Sequence, residues 1–403
     1  KNNFKFGCIL LTAALFSQVQ SVHAADVTIT SATTSTITAT GTDTITINSG
    51  GSITTTGANQ AINSKGTGVN IINRGTILSA TDAIFGTNQG VTKAFSGPAG
   101  VTDLIDNYGS IRSTGDVGVR LGNPEHVLTT LNNQFGATIQ GYEKGVYNLF
   151  DRIVTLNNSG LILGDDGRSV SSISFNDYSN DGVGIAYITS SDSGAQTINN
   201  TSTGIISGTS QGISLSGSTD VITINNSGKI QGGVTGIMNS SFGPDMSDPF
   251  LTVESSTGGL KMVLNNSGRI EGGTYSIYNR RLGHTNTINL NKGSVIIGTI
   301  HSSTDLILNM NVGASKSYAY STSGAGTITI NDLNNRPAIS GSAYAVNIGS
   351  MEMAGENLYQ NTSNIIDAVD SNINTTETWV RPYYSESSRD AEGDSSAIRK
   401  FKN

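Results

Sequence analysis

The chain has 403 residues, of which 49 are Gly and only 13% are charged, with a formal net charge of −7. Charged residues usually make up about 25% and Gly about 7%, so this is not the composition of an ordinary compact globule. So little charge also argues against a disordered chain, which carries a great deal of it. No Lys/Arg cluster stands out, so neither nucleic acid nor an anionic lipid surface is expected as a partner.

Gly, Asn and Ser supply turns, while Ile, Val and Thr suit pleated strands. Both sets are abundant here, which predicts an all-β chain with many short strands.

The first residues read as a secretory signal peptide over 1–24. Lys1 and Lys5 give a positive start, Phe6 to Phe16 an apolar run, and Val22-His23-Ala24 a small-residue cleavage site. Cleavage is expected between Ala24 and Ala25. The apolar run is too short to span a bilayer as a helix. Cys8, the only cysteine, lies inside this segment, so the mature chain has none. Exported proteins are open to disulfides. Their absence suits a chain that crosses a second membrane unfolded, and equally a repeat protein that needs no staples.

From 25 to about 350 the sequence repeats. Ile224-Asn225-Asn226-Ser227-Gly228-Lys229-Ile230 is matched by Leu264-Asn265-Asn266-Ser267-Gly268-Arg269-Ile270. Weaker copies begin at Ile71, Ile105, Leu131, Leu156 and Ile198, and outer ones at Ile47 and Leu290. The turn asparagines Asn48, Asn73, Asn107, Asn133, Asn158, Asn200, Asn226, Asn266 and Asn291 are separated by 25, 34, 26, 25, 42, 26, 40 and 25 residues. A fixed period of about 25 with occasional insertions is the signature of a solenoid.

Each repeat reads as one coil of a right-handed parallel β-helix. Val221 to Ile224 form a first strand, Lys229 to Gln231 a second, and Gly236 to Met238 open a third. At the corners Asn226, Gly228, Asn266 and Gly268 are expected to supply left-handed backbone. Stacked corner asparagines are also placed to form a side-chain amide ladder. Insertions fall near 86–101, 172–192 and 239–256 and carry Phe95, Phe175, Tyr178, Tyr187, Phe242 and Phe250. Loops on a solenoid are frequent binding sites or tolerated decoration.

The texture changes after Met351. Leu358, Ile365, Ile366, Val369 and Ile373 share a helical spacing, with Ser363 as an N-cap, so 351–378 reads as a linker containing a helix. Trp379-Val380-Arg381-Pro382-Tyr383 then mixes aromatic and polar residues as an outer-membrane strand does. The final stretch, Ala391 to Asn403, does not alternate like a strand.

Signal, repeat, helix and strand in this order resemble the pertactin-like autotransporters of type V secretion. The resemblance covers the whole chain in architecture and is sequence-specific over about 363–385. It implies a β-helical passenger, a linker helix, and a barrel whose first strand opens at Trp379, Arg381, Pro382 and Tyr383. Such a barrel has about twelve strands of roughly 9–11 residues, whereas 379–403 holds 25 residues (403 − 379 + 1). The chain is therefore expected to be a fragment, the product of an interrupted gene, or a partner to a separate translocator.

Catalytic constellations are weak. Ser191-Asp192-Ser193-Gly194 faintly resembles a serine-protease sequence but lies within repeats. His126, His284 and His301 show no metal-ligand spacing. Asp165, Asp166 and Asp181 are the carboxylates that a rung or two could align for glycan cleavage, although Asp165-Asp166-Gly167 is also a turn sequence. The expectation is a cofactor-free surface protein, not an enzyme. It would be exported through the periplasm to the cell surface at the outer membrane, where it binds host or bacterial glycans or proteins, or copies of itself. A polysaccharide-degrading β-helix and a nonfunctional remnant are the alternatives.

Overall fold

The computed structural model describes residues 26–39, 42–64, 68–86, 102–122, 128–149, 153–167, 182–189, 195–217, 221–240, 261–279, 285–311, 317–322, 326–332, 338–340, 344–347, 358, 362, 366, 386–389 and 398–402. These residues form a parallel β-helix. Each complete coil contributes a strand to three ladders; Val221–Asn226, Lys229–Gly232 and Thr235–Asn239 make one such coil. The first ladder stacks twelve strands, from Val27–Ile29 to Ile328–Asp332. The second and third start at Ala32–Thr33 and Ile37–Ala39. They merge into one sheet because Arg269–Asn279, 11 residues long, and Val295–Ser302, 8 long, run continuously round the corner between them.

Alternation explains the strands. Val221–Asn226 buries every second residue, which is what a pleated strand with one wet face requires. Stacking aligns the inward residues into columns. In the first ladder Ile45, Ile71, Ile105, Leu131, Leu156, Ile198, Ile224, Leu264, Ile288 and Leu308 lie in register. In the second the column opens with Thr33 and is isoleucine from there on, Ile53, Ile77, Ile111, Ile139, Ile162, Ile206, Ile230, Ile270 and Ile296. Identical β-branched residues stacked at the rung spacing of about 4.8 Å meet like side chains above and below, and each loses little rotamer freedom. Ile230 and its neighbours in the column, Ile206 and Ile270, are wholly buried.

The corners correct the expectation of left-handed backbone. Gly228 and Gly268 are not in the left-handed region. They are glycine because the coils approach closely there. A Cβ on Gly228 would overlap the Gly204 carbonyl oxygen below it, and one on Gly268 would overlap that of Gly228. The first strand also continues through the asparagine pair to Asn226 and does not break at Asn225.

Two turn asparagines are displaced from their expected register. Ile47 and Leu290 lie level with Asn73 and Asn266, while Asn48 and Asn291 sit one residue further on. There they are corner residues whose N–H groups bond Ile29 O and Asn266 O.

The insertions do not share one corner. Residues 87–101 and 241–260 follow third-ladder strands, whereas 168–181 falls between Leu161–Gly164 and Val183–Thr189, hence between the second and third ladders. Tyr187, expected in an insertion, belongs to the strand Val183–Thr189 and is wholly buried. The aromatics Phe95, Phe175, Tyr178, Phe242 and Phe250 lie outside the described residues.

Parallel stacking gives way to antiparallel pairing near the end. Ala338–Ser340 and Tyr344–Asn347 form a hairpin, and Tyr344–Asn347 also pairs antiparallel with Ser317–Thr322 of the third ladder. Leu358, Thr362 and Ile366 have helical backbone, and the Thr362 hydroxyl donates to Leu358 O at 2.7 Å. Ser363, expected as an N-cap, lies outside the described residues. Ile398–Lys402 is a strand, paired antiparallel with Glu386–Arg389. The lack of alternation in Ala391 to Asn403 misled because a backbone ladder needs no apolar face to form.

Candidate functional site

Two amide columns run along the first ladder, one residue apart in sequence and on opposite sides of the sheet. The inner column is Asn73, Asn107, Asn133, Asn158, Asn200, Asn226 and Asn266, each 1% exposed or less. Every Nδ2 donates to the Oδ1 of the next coil at 2.7–2.9 Å, until Asn266 donates to Ser294 Oγ at 2.6 Å. The second amide hydrogen goes to a backbone carbonyl; Asn133, for example, donates to Leu161 O at 3.0 Å. Buried amides are costly unless bonded, and here the stacking of identical residues supplies the partners. The repeat-turn asparagines Asn226 and Asn266 are both members of this column.

The outer column is Asp106, Asn132, Asn157, Asn199, Asn225, Asn265, Asn289, Asn309 and Asn331, linked at 2.7–2.9 Å. Its amides donate in the opposite sense, toward the amino-terminal coil. Asp106 fixes that direction, because a carboxylate only accepts.

Two residues before each outer asparagine lies a second outward column. From Thr130 it runs Thr155, Thr197, Thr223, Val263, Thr287, Ile307 and Thr329. Together the columns make a flat strip of hydroxyl, methyl and amide groups with no ionisable side chain from Thr130 to Asn331. Its grid is about 4.8 Å between coils and about 6.6 Å along each strand.

The third ladder differs in its middle coils, where it is buried on both faces: all five residues of Thr235–Asn239 are buried. At its start three acidic residues occupy one corner on successive coils, Asp82, Asp116 and Glu143. Ala83 N bonds Val117 O, and Glu143 N bonds Asp116 O. Arg120 reaches Asp116 at 2.7 Å and Asp82 at 3.3 Å, and Lys144 reaches Glu143 at 3.5 Å. Both cations lie over the Tyr147 ring, 5.5 and 4.9 Å from its centre. Burial raises the Asp82 carboxyl to about 7 despite Arg120, and Asp116 adds to the rise. Burial likewise raises Glu143 against the pull of Lys144. On the exposed second ladder the opposite holds, where a hydrogen bond from Arg269 lowers Glu271.

Of the carboxylates considered for glycan cleavage, Asp165 and Asp166 are among the described residues. Asp165 Oδ1 accepts Gly167 N at 3.1 Å, as a turn does, with Gly167 at φ 69°. Asp166 is buried and accepts from Thr209 Oγ1 at 2.8 Å, and Asp181 lies outside the described residues. His301 is buried and stacked on Tyr278, 5.0 Å between ring centres, and burial lowers its pKa. His126, His284 and residues 191–194 lie outside the described residues. So do Ala24 and Ala25, and Trp379, Arg381, Pro382 and Tyr383. Among the described residues no group of three or more His, Cys, Asp or Glu side chains is placed to hold a metal ion, and no helix is long and apolar enough to cross a membrane. A groove of about 390 Å³ runs over Gly232, Gly272 and Gly298 between Gln231, Glu271 and Ile297.

The outer column and the acid stack were not foreseen from the sequence, although both leave signals in it. From Asn132 to Asn265 the outer column is the first asparagine of each Asn-Asn pair. Asp116 and Glu143 directly precede third-ladder strands at the same phase of the repeat, in Asp116-Val117-Gly118 and Glu143-Lys144-Gly145, and Asp82 lies two residues before Ile84, level with Val117.

Fold and surface together define a β-helical solenoid with one long uncharged hydroxyl-amide strip. No protein-family model, curated protein sequence or solved structure matches the chain.

Proposed function

We propose that this chain is the passenger of an autotransporter-like surface protein of a bacterium, acting in adhesion or cell-to-cell association by multivalent contact. The observation that carries this reading is the strip from Thr130 and Asn132 to Thr329 and Asn331. An individual hydroxyl or amide contact is weak, since it replaces a hydrogen bond to water. A rigid column of eight such positions lets weak contacts add along one extended partner, because each further contact forms at high effective concentration. The absence of charge along the strip favours glycans and neutral protein surfaces over anionic polymers. The signal-like start and the Trp379-Val380-Arg381-Pro382-Tyr383 sequence support export and an outer-membrane partner domain.

Intact cells of the source bacterium test this reading with antibody against residues 200–300. Display predicts that the protein is digested by protease added outside the cells, and that Fab fragments of the antibody reduce attachment or clumping. Protection from external protease, with the protein confined to the periplasm, would contradict it.

A further inference from the structure

The acid stack on the third ladder is not used by the adhesive reading. Asp82, Asp116 and Glu143 place three carboxyls on consecutive coils; Asp116 and Glu143 are in register at the rung spacing of about 4.8 Å, while Asp82 is level with Val117 and accepts its N–H at 3.3 Å. Among the described residues, two cations face them, Arg120 and Lys144. Asp82 and Lys144 are nearly inaccessible, at 4% and 2% side-chain exposure. Tyr147, also buried, closes over both cations. Asp166, a further buried acid of the same corner, is occupied with Thr209.

Three negative charges against two positive ones leave one charge in excess, and at Asp82, the most buried member, solvent screens it little. Like charges this close disfavour simultaneous ionisation, and burial disfavours it further. A proton is the smallest ligand that removes the excess.

We propose that the Asp82, Asp116 and Glu143 corner is a proton-binding latch: it holds one proton in acidic and near-neutral surroundings, and loss of that proton weakens the coils it joins. Asp82, the most buried of the three, is the main holder. Its carboxyl lies at about 7 in the folded chain against an ordinary 3.8. The folded state therefore keeps a proton that the unfolded chain has released. The stabilisation is complete below about pH 4 and declines as pH rises toward about 7, beyond which the site carries its unbalanced charge. A difference of about three units corresponds to as much as ~10³-fold in the unfolding equilibrium. The coils affected are those carrying Ile84–Gly86, Val117–Gly122 and Lys144–Leu149.

The test is hydrogen exchange of the backbone amides of Val119 and Val146, against pH, in the full chain. Exchange rates are first corrected for the intrinsic dependence on pH, and amides of the carboxy-terminal coils, such as Ile288, serve as the internal reference. The wild type is expected to lose protection at Val119 and Val146, but not at Ile288, between about pH 4 and 7, with little further loss above. Asp82→Asn removes the excess charge and should abolish that selective loss. Glu143→Gln, at a more exposed site, should shift the loss to lower pH or flatten it, and it decides the matter if Asp82→Asn does not fold. Selective loss of the same size and midpoint in the foldable variants and in the wild type, or no selective loss in the wild type, would overturn the proposal.

Discussion

The side-chain amide of Asn132 donates to the carboxylate of Asp106 across 2.7 Å. That bond orders the whole outer column, because each asparagine that follows must present its oxygen to the next coil. One residue further along, Asn107 donates the opposite way, to Asn133. The two columns thus oppose their dipoles across the sheet. Replacing Asp106 by Asn keeps an acceptor and should change the urea midpoint little. Asp106→Leu removes it and should destabilise by about 1 kcal/mol. Equal effects of the two changes would deny Asp106 its terminal role.

Neighbouring asparagines in one strand should differ in their worth. Asn200 is buried, bonded to Asn158 and Asn226 on either side. Asn200→Leu leaves both partners short of a bond and should cost about 3 kcal/mol. Asn199 is half-buried and faces water, so Asn199→Ala should cost under about 1 kcal/mol. Urea denaturation of the two variants measures the difference, and a larger loss at Asn199 would reverse the assignment of inner and outer faces.

Glycine at the corner is a steric requirement. Gly228→Ala puts a methyl group into the Gly204 carbonyl, backbone against backbone, so the coil has to separate from its neighbour. We expect a loss of about 3 kcal/mol or more, comparable with the largest core substitutions. Gly50→Ala is the control, since its Cβ would meet nothing closer than Thr30 O at 3.9 Å. Thermal melts of both variants should place Gly50→Ala close to the wild type.

The isoleucine column predicts a cavity effect. Ile230→Ala should cost about 2–5 kcal/mol, and Ile230→Val about 1 kcal/mol. In a solenoid each coil touches only its neighbours, so hydrogen exchange should rise first around Ile206 and Ile270. An even rise over the whole chain would show that the coils unfold as one unit.

Much of this was legible in the sequence because a solenoid is quasi-one-dimensional. The match between Ile224–Ile230 and Leu264–Ile270 gives the coil, its corners and the inward Ile230 and Ile270 without any long-range contact having to be guessed. Register at the ends was not legible. Asn48 looks like the equivalent of Asn73, but the hydrogen bonds align Ile47 with it, and a shift of one residue exchanges the inner and outer faces. Glycine chemistry was misread for a related reason. Gly228 faces another coil, and a neighbour 24 residues away leaves no local signature. The acid stack depends on three coils at once, so Asp82, Asp116 and Glu143 each read singly as ordinary turn acids.

In the proposed function the outward strip of the first ladder is the adhesive surface. Thr155, Thr197 and Thr223 lie on three consecutive coils of it, with side chains half-buried on the outer face. Lysine at each position keeps the inward core intact and breaks the uncharged strip. The measurement is attachment of cells displaying the protein, with circular dichroism confirming the β-helix. One lysine should weaken attachment a few-fold and all three should abolish it, because multivalent contacts fail together. Full attachment by the folded triple variant would contradict the account.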